Sequence, residues 1–252
     1  MTKNCALVTV RNSSTRLPNK AILEVVPNLK TIEAVISRAK LTGFPVVIAT
    51  STDASDDIFE VIAAENGVGI YRGALLNKIK RWKDCFGTLQ IDNALLVDGD
   101  DLMYDYNIGK RAIEALVQSN AVMIKHPENV ICGYFTYAIS KKGIDSIYQF
   151  AQQENTNTDV ITEFVKKSGI EIEMMKLESW EMNQPFRLTL DYEDDLLFFT
   201  KLIEGIGIEA NGKMVTEYLL QHPEIVNINL YRQDDWAKNQ AKFNDGVKQS
   251  IS

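Results

Sequence analysis

Residues 5–20 read Cys5-Ala6-Leu7-Val8-Thr9-Val10, then Arg11-Asn12-Ser13-Ser14-Thr15-Arg16-Leu17-Pro18-Asn19-Lys20. The first six are apolar and β-rich, which predicts a buried first strand over 5–10. The next ten are polar and hold Pro18, so they form a loop directly after that strand. Arg11, Arg16 and Lys20, with three hydroxyls between them, make this loop unusually cationic for a chain of net charge −7. Forked guanidinium donors, a lysine point charge and loop backbone N–H groups are the chemistry that holds phosphate oxygens. The loop has no GxxxxGK[ST] pattern, so it is not a Walker loop.

Outward from the loop, apolar spacing alternates between helix and strand. Ile32, Val35, Ile36 and Ala39 predict a helix over 31–40 with Thr31 as its cap. A strand follows at 46–50, then the loop 51–57 opening a helix whose apolar face is Ile58, Val61 and Ile62, ended by Gly67. Further strands are predicted at 68–71, 94–97 and 121–125, with helices at 75–86 and 107–118. Such alternation marks an α/β fold, a mainly parallel twisted sheet with helices on both faces. Ligands of these sheets bind beyond the carboxyl ends of the strands. Loops 11–20, 50–57 and 98–101 are therefore expected at one crevice. The second half is less regular, with an antiparallel strand at 133–139, a strand at 170–176 and helices near 140–152, 157–168, 192–204 and 211–221. The chain reads as one domain over 1–252 with a small antiparallel excursion at 126–185.

Composition narrows the function classes. Apolar residues make up 45% and charged residues 24% of 252, which suits one globular domain. The acidic balance and scattered cations argue against nucleic acid as a partner. No apolar run reaches membrane-spanning length, and the polar N-terminus is unlike a signal peptide, so a cytoplasmic protein with no membrane partner is expected. Three cysteines without a CxxC pair fit buried thiols in a reducing compartment. His126 and His222 are isolated, no G-x-S-x-G elbow occurs, and the Phe198-Phe199 pair reads as core.

The remaining candidates are carboxylates. Asp98, Asp100 and Asp101 follow one predicted strand, and Asp191 follows another. Mg²⁺ takes one or two carboxylates together with phosphate oxygens and water. Asp98 and Asp100, two apart in extended chain, can face the same side. The plainer alternatives are a solvated turn at 98–101 and, for Asp191, acids favouring the start of the next helix.

The loop Arg11-Asn12-Ser13-Ser14-Thr15-Arg16-Leu17-Pro18-Asn19-Lys20 resembles the R-x-x-S-x-R-x-P-x-K signature of the acidic-sugar cytidylyltransferases, which make CMP-linked acylneuraminates and deoxyoctulosonates, and within them the spore-coat polysaccharide branch. Ile48–Asp53, Tyr71-Arg72-Gly73, Arg187–Asp194 and His222–Asn229 resemble further segments of the same family. The resemblance implies a nucleotide-diphospho-sugar transferase-like, Rossmann-like fold. It also implies transfer of CMP from CTP to a small acidic acceptor, with release of pyrophosphate, for surface polysaccharide synthesis. It makes Arg11, Arg16, Lys20 and Asp100 catalytic, with Arg11, Ser13, Ser14, Arg16, Lys20 and Arg72 at the nucleotide. Asp98, Asp100 and Asp191 become ligands of Mg²⁺. Arg187 either pairs with Asp191 or touches the acceptor's carboxylate. A homodimer through the excursion is implied as well. One departure stands out: Val97-Asp98-Gly99-Asp100-Asp101 replaces the branch's T-G-D-C-P-like segment, putting Asp98 in place of threonine. Its D-x-D spacing also matches metal-dependent glycosyltransferases using a nucleotide-sugar. The non-enzyme alternative is a nucleotide-binding homologue without turnover.

Overall fold

Alternation along the first strand sets the layers. In the computed structural model, which describes residues 2–153, 156–158 and 160–239, β1 (Asn4–Thr9) sends Ala6 and Val8 into one apolar cluster and Cys5 and Leu7 into a second. Successive side chains of a strand face opposite ways, so both faces of this strand are core. A small antiparallel ribbon, β2 (Glu24–Val26) and β3 (Leu29–Lys30), leads into α1 (Thr31–Lys40). The parallel progression continues through β4 (Val46–Ser51), α2 (Ile58–Glu65), β5 (Gly69–Gly73), α3 (Lys78–Leu89), β6 (Asn93–Asp98) and α4 (Tyr106–Gln118). Then come β7 (Met123–Lys125), β8 (Tyr137–Ser140), α5 (Lys141–Tyr148), α6 (Thr162–Ser168) and β9 (Ile172–Met174). The last elements are α7 (Glu193–Ile206), α8 (Gly212–Gln221), α9 (Pro223–Val226) and helical residues 232–239.

Among the described residues, seven strands form one sheet in the order β5-β4-β1-β6-β8-β7-β9. All neighbours are parallel except β8, which runs antiparallel to both β6 and β7. The expected excursion therefore does not leave the sheet: it threads β8 between β6 and β7 and sets β9 at the edge. Helices α1, α2, α4 and α7 cover one face, and α3, α5 and α6 the other. The Phe198 and Phe199 rings meet edge to face at 5.2 Å within the first cluster. Among the described residues no helix is long and apolar enough to cross a membrane.

From β1 the chain winds outward through β4 to β5, then returns to β6 on the other side. The switch point thus lies between β1 and β6, where doubly wound sheets hold their ligands. The two strands are in register to their ends, Thr9 opposite Asp98.

Four local expectations differ from the structure. The helix over 31–40 has Lys30 at its cap position, and Thr31, its first residue, donates its hydroxyl to the Lys20 carbonyl. In α2 the buried residues are Phe59, Ile62 and Ala63, while Ile58 and Val61 are exposed, because the helix starts at Ile58 and turns Phe59 inward. Residues 188–190 belong to no strand, so Asp191 does not end one. The helix expected over 157–168 begins at Thr162. Position 159 of that expectation, and positions 1, 154, 155 and 240–252 of the expected domain, lie outside the described residues.

Candidate functional site: a cleft at the switch point

The ends of β1 and β6 can meet because residue 99 is glycine. A Cβ there would stand 2.8 Å from Val10 Cβ and 2.9 Å from the Thr9 carbonyl oxygen, too close for any side chain. Gly99 N–H instead donates to the Thr9 carbonyl at 2.9 Å, which carries Asp100 and Asp101 alongside the start of the cationic loop. Together these segments open onto a cleft of about 890 Å³.

The loop is braced from below. Buried Asp56 accepts from the Asn12 backbone N–H at 2.7 Å and from the Ser51 N–H and hydroxyl at 3.1 and 2.5 Å. Ser14 Oγ accepts from the Leu17 N–H, and Asn19 takes a left-handed conformation (φ 57°) that turns the chain into Lys20. Arg11 donates to the Leu75 carbonyl at 2.7 Å.

Asp191 arrives from far along the chain through backbone bonds rather than a strand. Leu188 N–H donates to the Cys132 carbonyl at 3.1 Å and Leu190 N–H to the Asp100 carbonyl at 2.9 Å. The first of these needs Gly133, whose φ is +86° and whose Cβ would lie 2.1 Å from the Leu188 oxygen. Asp195, at the start of α7, accepts from the Asp191 and Tyr192 N–H groups at 2.8 and 2.9 Å. Arg187 is paired with Asp195 and reaches the Asp191 Oδ2 at 3.0 Å, and Asn229 bridges the Arg187 carbonyl and Asp195.

The cationic loop and this carboxylate meet directly. The Lys20 ammonium donates to Asp100 Oδ2 at 2.7 Å, the Leu190 carbonyl at 2.6 Å and Asp191 Oδ1 at 3.0 Å. Arg16 pairs with the same Asp191 Oδ1. Burial pushes the Asp191 acid up, but Lys20 and Arg16 push it further down and hold it at about 2. Burial lowers the Lys20 ammonium, yet Asp100 and Asp191 outweigh it and leave it raised. Asp98, at the end of β6, is raised by burial and by Asp100 while Lys78 opposes, and it accepts from Thr136 Oγ1 at 3.2 Å. Asp101 is raised well above the ordinary range by burial, Asp100 and Asp98. The cleft is thus a place where fixed carboxylates and fixed cations face each other in partial shelter from water.

Of the residues singled out in the sequence, Arg11, Ser13, Ser14, Arg16, Lys20, Asp98, Asp100 and Asp191 all line this cleft. Arg72 and Arg187 do not. Arg72 turns to the 51–57 loop, bonding the Ser51 and Asp53 carbonyls at 2.9 Å and pairing with Asp57 and Glu60 at 2.6 Å. The structure places Arg72 outside the cleft, where it braces the loop whose Asp56 holds Asn12. Arg187 has a fully buried side chain behind Asp191. The expected acceptor contact gives way to the alternative pairing, in which Arg187 orients the carboxylate.

Asp98, Asp100 and Asp191 all face the cleft, yet among the described residues no three His, Cys, Asp or Glu side chains are grouped as a metal cage. Lys20 bridges Asp100 and Asp191 instead. The donors themselves are hard carboxylate oxygens beside a cationic loop, which fits a Mg²⁺ ion carried in with phosphate oxygens rather than one held by protein alone.

Several wall residues carried no clear sequence signal. Lys78 and Arg81 come from the first turns of α3; their cationic cluster is visible in the sequence, but not its direction. His126 stacks on Tyr137 at 6.1 Å in the cleft wall. Trp236 lines the cleft from the C-terminal helical residues, and Asn239 there donates to the Tyr192 hydroxyl at 3.2 Å.

No family model matches the chain. An uncharacterized protein of Methanocaldococcus jannaschii is 20% identical over 232 residues, covering 90% of this chain and 94% of that one. Among solved structures, a cytidylyltransferase from Leptospira borgpetersenii serovar Hardjo-bovis superposes with a TM-score of 0.81 at 21% identity, over 90% of this chain and 97% of that one. A CMP:2-keto-3-deoxy-manno-octonic acid synthetase complexed with CTP gives 0.63 at 15%, over 81% and 99%. The 4-diphosphocytidyl-2C-methyl-D-erythritol synthase of Anaerococcus prevotii gives 0.56 at 12%, over 81% and 96%. At these identities the likeness is one of fold: the chain has the nucleotide-diphospho-sugar transferase-like α/β architecture.

Proposed function

We propose that this chain is a nucleotidyltransferase that moves CMP from CTP to an acidic sugar or related acceptor and releases pyrophosphate. The observation that carries the reading is the meeting of Arg16 and Lys20 with Asp100 and Asp191 at the sheet's switch point. It is supported by the signature at 11–20 and by structural neighbours that are themselves cytidylyltransferases.

In this reading Arg11, Arg16 and Lys20, with the hydroxyls of Ser13 and Ser14, bind the triphosphate. Asp98, Asp100 and Asp191 are the residues that would hold Mg²⁺. When bound, the ion neutralises the polyphosphate and favours loss of pyrophosphate. An acceptor oxygen attacks the α-phosphorus, the bond from that phosphorus to the bridging oxygen breaks, and the acceptor's proton passes to solvent or a nearby base. The loop cations stabilise the charge that develops on the leaving pyrophosphate. No protein nucleophile is needed. Arg187 and Asp195 keep Asp191 in place, and Arg72 and Asp56 keep the loop in place.

The D-x-D spacing of Asp98 and Asp100 favours one rival, a glycosyltransferase that consumes a nucleotide-sugar. Pyrophosphate release separates the two. The protein is incubated with Mg²⁺, each of CTP, UTP, ATP and GTP, and either 2-keto-3-deoxy-manno-octonate or N-acetylneuraminate. Pyrophosphate formed with CTP and an acceptor is the expected result. Release of a nucleoside diphosphate from a nucleotide-sugar, with no pyrophosphate from any triphosphate, would overturn the proposal.

A further inference from the structure

We propose that Lys20 is a resident cation at the divalent-metal position, so that its ammonium and a metal ion exclude one another at Asp100 and Asp191. The inference rests on the metal expectation of the preceding reading, but not on which nucleotide is used. An ammonium has three N–H donors. Those of Lys20 meet Asp100 Oδ2, Asp191 Oδ1 and the Leu190 carbonyl, all within 3.0 Å. Lys20 therefore joins the two carboxylates that a metal would join, and it has no donor left for a phosphate while it does so. Asp191 is heavily engaged as well: Oδ1 takes Lys20 and Arg16, and Oδ2 takes Arg187.

These partners differ in freedom. The Arg187 side chain is fully buried and bound to Asp195, so it stays. Arg16 and Lys20 sit at the cleft, 39% and 15% exposed, on the loop that faces an incoming ligand. A dication placed between Asp100 and Asp191 would repel the ammonium held there, while a polyphosphate offers Lys20 and Arg16 stronger oxygen partners. Each ligand thus removes what obstructs the other, and the coupling must be reciprocal. The polyphosphate lifts the cations off the carboxylates, and the metal keeps them off. The site stays neutralised until both are present.

The test uses Mn²⁺ alone as the probe, titrated into nucleotide-free protein, with the free ion read by electron paramagnetic resonance. Lys20→Gln, which keeps polar contacts but removes the charge, should bind Mn²⁺ at least about tenfold more tightly than the wild type, within the usual range of coupling between sites. Lys20→Arg, which keeps the charge, should stay near the wild type. Equal affinity of wild type and Lys20→Gln, or an equal gain in Lys20→Arg, overturns the proposal. Circular dichroism checks folding. Should Lys20→Gln not fold, ¹⁵N-lysine NMR on the wild type replaces it. The ammonium signal missing from Lys20→Arg should shift when Mg²⁺ and CTP are added together, and an unmoved signal is the contrary result. The Mn²⁺ titration contains no nucleotide, so its failure leaves the proposed reaction standing, and absence of pyrophosphate release leaves the exchange standing.

Discussion

Replacing Asp191 by asparagine removes one charge without changing the side chain's shape, and the structure sets the size of the consequence. The wild-type carboxylate is 2% exposed and faces Lys20, Arg16 and Arg187. Its acid is held at about 2. The ordinary aspartate lies near 3.9, so the difference is worth about 2–3 kcal/mol at neutral pH. Breaking a buried ion pair by removing one partner costs about 3–5 kcal/mol. Arg187 keeps Asp195 as a partner, which places this case at the low end. We predict that Asp191→Asn loses about 2–4 kcal/mol at pH 7, a fall of roughly 5–12 °C in Tm for a chain of this size. The sign with pH follows from the lowered acid. The contribution is complete above the unfolded value, near pH 4, and is lost as pH falls through about 2. Unfolding followed by circular dichroism from pH 7 to pH 2 would show the wild type losing this increment below pH 4, while the variant lacks it throughout. Equal midpoints at pH 7, or parallel profiles down to pH 2, would refute the electrostatic account of Asp191.

Other consequences follow from the same geometry. Gly99→Ala puts a methyl within 3 Å of Val10 and the Thr9 carbonyl. It should cost about 1–3 kcal/mol in urea unfolding and also weaken CTP binding, since it separates the two loops; unaltered binding would dissociate Gly99 from the site. Arg72→Ala should raise the KM for CTP less than about tenfold with kcat nearly unchanged, because its ion pairs are exposed at the carboxylate end and it acts through the 51–57 loop. A large fall in kcat would put Arg72 back at the nucleotide. Arg187→Met should lower Tm and shift the acid limb of the stability profile upward, as Asp191 loses one of its three cations; acceptor saturation that changes while Tm does not would restore an acceptor contact.

What the sequence could reveal follows from which interactions are local. The strand and loop at 5–20 are legible because strand alternation and a cationic, Pro-containing loop are properties of adjacent residues. The α1 boundaries, Thr31–Lys40, are legible for the same reason, as Ile32, Val35, Ile36 and Ala39 mark one face. The placement of Asp191 is not. Its segment is held by bonds to Cys132 and Asp100, and nothing local distinguishes extended chain with distant partners from a strand. Arg72 shows the same limit, since a motif fixes a residue type while the side chain's direction depends on Asp57, Glu60 and two carbonyls. In α2 the shift of the apolar face to Phe59 came from the helix start, set by the turn at Ala54–Asp56. The partner of Lys20 was hidden in another way. Both sides of the pair were visible as candidates, but their contact with each other depends on the fold of a chain that separates them by 171 positions.

In the proposed reaction the loop cations and the aspartates from two distant segments enclose one magnesium-bound polyphosphate. Isothermal titration of CTP with Mg²⁺ into the wild type, Arg16→Ala and Lys20→Ala should give saturable binding by the wild type and a loss of roughly tenfold or more in each variant, consistent with about 1.5–3 kcal/mol for a charge-assisted bond. Equal affinity in all three proteins, or no binding by a folded wild type, would contradict it.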